Sequence, residues 1–69
     1  MPDHPQLANR LKELRSAAGL TQAELADRVG VSRKTINTIE NGVFVPSTLL
    51  ALKLSAALRI PVEGIFQLR

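Results

Sequence analysis

Punctuation, more than composition, limits what this chain can fold into. Pro5, Gly19, Gly30, Gly42, Pro46 and Pro61 divide it into stretches of no more than about four helical turns each. Any regular element is therefore short, and a stable fold has to come from several short elements packed together. With 69 residues there is one domain at most. A chain of this size buries only about 60% of its unfolded surface, so its folded state has little margin. The usual reinforcements are disulfides, a metal, tight helix packing or a second chain. The sequence has no Cys and a single His, His4, which closes the first two routes. Helix packing remains, assisted by dimerisation.

The punctuation agrees with the apolar periodicity. Leu7, Leu11, Leu14 and Ala18 recur at helical spacing and predict a first amphipathic helix that stops at Gly19. Thr21 followed three residues later by Glu24 is a capping box, opening a second helix with Leu25, Ala26 and Val29 inward and Gly30 at its end. Ser32 caps a third helix anchored by Ile36 and Ile39 and closed by Asn41-Gly42. Val43-Phe44-Val45-Pro46 reads as a loop, because Pro46 disfavours helical geometry at Val45 and the run is too short to build a sheet. Ser47 caps a fourth helix running to about Arg59. Pro61 suits the first position of a short fifth helix carrying Val62, Ile65 and Phe66. The expected fold class is all-α, a compact bundle of five short helices formed by residues 7–69, preceded by a flexible arm at 1–6.

Residues 21–42 carry the functional signal. Two short helices joined by only Gly30-Val31-Ser32 pack at a steep angle, the helix-turn-helix arrangement that offers its second helix to a DNA major groove. Ala26 is small where the helices approach, and Val31 plugs the angle between them. Outward on the third helix, Lys34, Asn37, Thr38 and Asn41 follow an i, i+3, i+4, i+7 spacing, with Arg33 alongside. Arg and Lys donate to guanine O6 and N7, Asn pairs with adenine, and Thr touches a thymine methyl. Any exposed helix face is polar, so the stripe alone would mean little; the turn spacing and the small residue give it weight. A net charge of +3 suits a polyanion without identifying one.

The runs Gly19-Leu20-Thr21-Gln22-Ala23-Glu24-Leu25-Ala26, Gly30-Val31-Ser32, Thr35-Ile36-Asn37-Thr38-Ile39-Glu40-Asn41-Gly42 and Pro46-Ser47 resemble the XRE family, the helix-turn-helix domains of the Cro and phage-repressor type. The likeness extends from about Leu7 to Phe66, and implies a lambda-repressor-like fold and a transcriptional regulator, a repressor, that binds a palindromic operator as a homodimer. It implies base reading by Arg33, Lys34, Asn37 and Thr38, and phosphate or backbone contact by Thr21, Gln22, Ser32 and Asn41, with Gln22 also bracing the reading helix. It further implies a salt bridge from Glu40 to Arg15, since an acid facing phosphate would be repelled. Three residues depart from the pattern. Phe44 stands in a loop where long polar residues are common, so that loop touches DNA less or packs on a neighbour. Arg59 stands where Gly or Asn usually lets the chain turn, and Gly64 weakens the fifth helix.

The fourth helix carries more leucine than one stripe can hold. With Ala51, Leu54, Ser55 and Leu58 toward the core, Leu49 and Leu52 point away. Together with Ile65, Phe66 and Leu68 they form the expected two-fold interface of a dimer whose half-sites lie about 34 Å apart. No paired acid and base, activated nucleophile or phosphate loop appears, so an enzyme is not expected, nor a cofactor, metal or small-molecule ligand. The competing reading is an antitoxin or other protein-binding module that also regulates its own operon, although no toxin-wrapping extension is evident. No apolar run approaches the ~20 residues of a membrane span, and the N-terminus lacks the pattern of a signal peptide; the expected location is the cytoplasm.

Overall fold

The computed structural model describes residues 6–69; His4 and the arm expected at 1–6, Gln6 apart, lie outside the described residues. In chain order the elements are β1 (Leu7–Asn9), α1 (Leu11–Ala17), α2 (Gln22–Val29), α3 (Arg33–Glu40), α4 (Thr48–Leu58), α5 (Val62–Ile65) and β2 (Phe66–Leu68). The five expected helices are present. The two strands correct the sequence reading. They join the ends of the described chain as an antiparallel pair with Leu7 opposite Leu68, Ala8 opposite Gln67 and Asn9 opposite Phe66.

Leu7 therefore does not extend the first helix. The Asn9 side-chain oxygen accepts the Leu11 N–H at 3.1 Å, which satisfies a helix-start donor and fixes the entry point after the strand. At the far end Ala18 is an exposed C-cap rather than a core residue, which leaves Leu11 buried and Leu14 half-buried. The other caps follow their local signals. Thr21 Oγ1 accepts from the Glu24 N–H at 3.1 Å while a Glu24 carboxylate oxygen accepts the Thr21 N–H at 2.8 Å. Ser32 and Ser47 hydroxyls accept from the N–H groups of Thr35 and Leu50, each at 3.1 Å. Gly30 ends α2 at φ 76°. An added Cβ there would meet no atom within 4 Å, so it is backbone conformation, not space, that calls for glycine.

One core unites the helices. Leu11, Leu25, Ile36, Ile39, Leu54 and Ile65 are its large, fully enclosed side chains, with Ala26 and Val29 on α2 and Leu50 and Leu58 on α4 completing it. On α4 the inward stripe is Leu50, Leu54 and Leu58, whereas Ala51 and Ser55 are only half-buried; this revises the expected set. Ser55 instead donates its hydroxyl to the Ile60 carbonyl at 2.6 Å, beneath a turn in which Arg59 takes a left-handed φ of 58°. Ile65, expected at a dimer surface, is wholly buried, and its carbonyl accepts the Arg10 N–H at 2.8 Å. Gly64 does more than weaken α5: a Cβ there would lie 2.8 Å from Ile60 Cγ2, so glycine permits the close packing of the last turn. Among the described residues no helix is long and apolar enough to cross a membrane.

Candidate nucleic-acid interface

Three residues, Gly30 to Ser32, separate α2 from α3, and α3 packs chiefly on α2 and also on α1. Ile36 and Ile39 anchor its inner face, and half-buried Val31 packs against the same core at the turn. With that face committed, Arg33, Lys34, Asn37 and Asn41 are exposed along the outer side and Thr38 is half-buried. The exposed stripe contains no acid.

The side chains of that stripe are not all idle. Asn41 Nδ2 donates to Asn37 Oδ1 at 3.0 Å, leaving the Asn37 amide protons and the Asn41 carbonyl for other partners. Thr38 donates its hydroxyl to the Thr35 carbonyl at 2.9 Å, so its oxygen is left as an acceptor only. The Thr38 carbonyl receives the N–H groups of Val43 and Phe44 at 2.9 and 3.2 Å, folding the following loop back against the helix end. Val43, Phe44 and Val45 are all exposed there. At the start of α2 the Thr21 N–H is taken by Glu24, and that contact holds the Glu24 carboxyl below its ordinary pKa of 4.5. The Thr21 N–H is thus not free to face a phosphate, and a carboxylate shares the helix start with it. Ser32 is exposed at the start of α3, its hydroxyl also 3.0 Å from that of Thr35.

Glu40 is turned away from the stripe. Arg15 meets it in two-pronged fashion, Nε to Oε2 at 2.6 Å and Nη2 to Oε1 at 3.2 Å, and Arg15 Nη1 also donates to the Leu20 carbonyl at 2.8 Å. The two side chains retain only 12% and 2% of their exposure. The hydrogen bond to Glu40 raises the Arg15 pKa above its ordinary value. Half-buried Gln22 adds a third donor, Nε2 to Glu40 Oε1 at 3.0 Å, so α1 and α2 both grip the last turn of α3 through one carboxylate. Gln22 thus braces α3 as the resemblance implied, although Glu40 was not expected as the point of attachment; the contact from Asn9 Nδ2 to the Ile39 carbonyl, 3.1 Å, was not foreseen. For Asn9 a signal existed, a capping residue two positions before Leu11, but the Leu7–Leu11 spacing obscured it.

The residues expected to meet a second copy are divided. Leu49, Leu52 and Leu68 are exposed, Leu68 at 87%, while Phe66 is half-buried and Ile65 is in the core. Leu7, Val45, Pro46, Thr48, Ala51, Leu52, Val62 and Phe66 line an open, largely apolar hollow of about 350 Å³, whereas Leu49 lines a separate one with Gly30 and Lys53.

Residues 11–65 match a helix-turn-helix family. An uncharacterized HTH-type transcriptional regulator of Bacillus subtilis, YgzD, is 45% identical over 62 residues, covering 90% of this chain and 94% of the relative. The restriction-modification controller protein C.AhdI from Aeromonas hydrophila superposes with a TM-score of 0.75 at 40% identity, covering 80% of this chain and 83% of that one. SinR of Bacillus subtilis, a master regulator for biofilm formation solved in complex with DNA, gives a TM-score of 0.73 at 33% identity over 78% of this chain and 87% of its own.

Proposed function

We propose, from the premise that this chain belongs to the XRE family of helix-turn-helix DNA-binding transcriptional regulators and is not an enzyme, that it is a repressor placing α3 in the major groove of a palindromic operator. The observation that carries this reading is the outer face of α3. Its exposed side chains are basic or amide, and its one acid is withdrawn into an ion pair with Arg15. Arg33, Lys34, Asn37 and Thr38 read base edges, and Asn41, Gln22 and Ser32 set the register on the backbone, to which Thr21 adds only its hydroxyl proton because its N–H is held by Glu24. Gln22 has two amide protons, one donated to Glu40, so the other is available to a phosphate oxygen. Repression needs no surface beyond the operator-binding one, because occupancy alone excludes other proteins from the site. The reading carries a cytoplasmic location, with residues 7–69 as the DNA-binding domain.

A palindrome calls for two copies related by a two-fold axis, whose reading helices lie about one DNA turn, ~34 Å, apart. An isologous interface needs a projection and a hollow on one surface. Exposed Leu68, paired in the sheet with Leu7 of the hollow's wall, is the projection, Leu52 and Phe66 belong to the wall itself, and exposed Leu49 lies apart, beside Gly30 and Lys53. Ile65 drops out of the interface because it is already enclosed.

Selection of bound duplexes from a random pool tests the reading. A two-fold symmetric consensus is expected. Arg33→Ala and Thr38→Ala are expected to relax preference at particular bases, each by about 1–3 kcal/mol of discrimination, and Gln22→Ala, which removes a phosphate donor together with a tie to Glu40, to weaken binding to every sequence and to blur preference across the site. Leu52→Glu with Leu68→Glu is expected to give a monomer in sedimentation. A pool without enrichment, or three DNA-face variants that bind as the parent does, refutes the assignment.

A further inference from the structure

Asn9 stands outside the helix-turn-helix segment, in β1, paired across the sheet with Phe66. Both ends of its part-buried amide are used. Oδ1 accepts the Leu11 N–H at 3.1 Å, and Nδ2 donates to the Ile39 carbonyl at 3.1 Å. The orientation of the amide is fixed by its partners, because an N–H needs the oxygen and a carbonyl needs the nitrogen. Ile39 lies in the last turn of α3, and its carbonyl is one of those a helix end leaves without a helical partner. Gly42 supplies one donor to it at 3.0 Å, and Asn9 supplies another from the far side of the molecule.

A single side chain thus holds the first N–H of α1, whose Arg15 grips Glu40, and also holds the carbonyl next to Glu40 directly. The sheet that joins the chain ends is in this way tied to the end of α3 that carries Asn37 and Asn41. We infer that Asn9 is a positioning residue for DNA reading, setting the orientation of the last turn of α3 against the body of the protein. The inference rests on the reading that α3 enters the groove. Base contacts tolerate only about 0.5 Å of misplacement before their geometry degrades, so a tie at the root of the helix acts on sequence preference more than on overall affinity.

Asn9→Asp separates positioning from folding. It is nearly isosteric, keeps the acceptor for Leu11, and puts a carboxylate at the start of α1 where the helix dipole favours it. It removes the donor and sets an anion against the Ile39 carbonyl. The measurement is the ratio of affinities for the selected operator and a scrambled duplex of equal length at fixed salt, taken where circular dichroism reports both proteins folded. Amide hydrogen exchange over residues 38–42 without DNA accompanies it. The ratio is expected to fall roughly tenfold, the scale of one lost base contact, with faster exchange in the last turn of α3 and unchanged exchange in α2. Asn9→Ser, with a hydroxyl that can still cap α1 but is too short to reach Ile39, is expected to behave alike and serves if the first variant does not fold. A variant that keeps the parental ratio, or parental exchange over residues 38–42, overturns the assignment of Asn9 alone. A parent protein without preference for any operator overturns the functional reading and this inference together.

Discussion

Replacing Arg15 with Ala leaves a carboxylate stranded in the protein. The Glu40 side chain keeps 2% of its exposure and accepts from Arg15 Nε, Arg15 Nη2 and Gln22 Nε2; the substitution removes the first two and leaves one neutral donor. It also deprives the Leu20 carbonyl of its guanidinium donor. Breaking a buried ion pair from one side costs about 3–5 kcal/mol, because the remaining charge is neither solvated nor matched. A chain of 69 residues at roughly 0.05–0.15 kcal/mol per residue has about 3–10 kcal/mol in all. Arg15→Ala is therefore expected to be marginal at 25 °C or unfolded. With a urea m-value of about 1 kcal/mol/M, the midpoint is expected to move by some 3 M or more.

The same geometry predicts an asymmetry. Glu40→Gln is expected to cost less than Arg15→Ala, since Arg15 retains 12% exposure and a long stem by which its charge reaches water. Replacing both, Arg15→Met with Glu40→Leu, removes the desolvation cost along with the attraction and is expected to be near parental stability or above it. Urea denaturation of the parent, Arg15→Met, Glu40→Leu and the double variant, followed by circular dichroism, completes a double-mutant cycle, with Arg15→Ala and Glu40→Gln measured beside it. A loss below about 1 kcal/mol in Arg15→Ala, or a double variant as unstable as the two singles added together, refutes the reasoning. The pair brings no alkaline sensitivity in the ordinary range. The folded-state pKa of Arg15 is raised above the already strongly basic guanidinium range, so its contribution is complete throughout the ordinary pH range and is lost only as the pH rises through the still higher folded value.

Glu24 has the opposite sign: its pKa is lowered from 4.5 by the Thr21 N–H, so the stability it adds is present above 4.5 and is lost as pH falls through the lower folded value. The stability gap between the parent and Glu24→Gln is expected to narrow as the pH falls below 4.5 in thermal melts, and a constant gap refutes the box as a charged contact. Arg59→Gly is expected to change stability by between zero and about +1 kcal/mol, because relief of the left-handed backbone at φ 58° is partly offset by a more flexible unfolded chain. Arg59→Val is expected to lose more than 1 kcal/mol or so by the same measurement, and equal stabilities for the two variants refute the strain argument.

What could be read from the sequence divides by the distance between the interacting groups. The Thr21–Glu24 box, the Ser32 and Ser47 caps and the stop at Gly30 each depend on atoms within four residues, and each stands where the local pattern put it. The strands do not. Leu7 meets Leu68 across nearly the whole chain, and three-residue strands are too short to show alternation. Leu7 also lies four residues before Leu11, so a helical period was satisfied by chance. On α4 the leucines at 49, 50, 52 and 54 surround the axis, and periodicity cannot select a face when apolar residues occupy every side; packing against α2 selected Leu50 over Ala51. Ile65 sits in a four-residue helix with no period at all, which is why a surface role and a core role looked alike for it.

The outer stripe of α3 was legible because Ile36 and Ile39 leave only one other face. Glu40 was legible in a weaker sense. It follows Ile39 and stands four residues after Ile36, so its side chain leaves the helix near the apolar face and has to find cations or donors to be tolerated there. What a sequence pattern cannot specify is how many donors arrive and from where. Arg15 comes from 25 residues away and Gln22 from 18, and the neighbouring Ile39 carbonyl is reached by Asn9 across 30. Each of those polar groups sits at an end of its own element, where orphaned backbone groups and free side chains collect. The face proposed to meet DNA is therefore set by local periodicity, whereas its orientation is set by three long-range polar contacts converging on two adjacent residues. Substitutions at those contacts are expected to misalign a reading face whose own residues are intact.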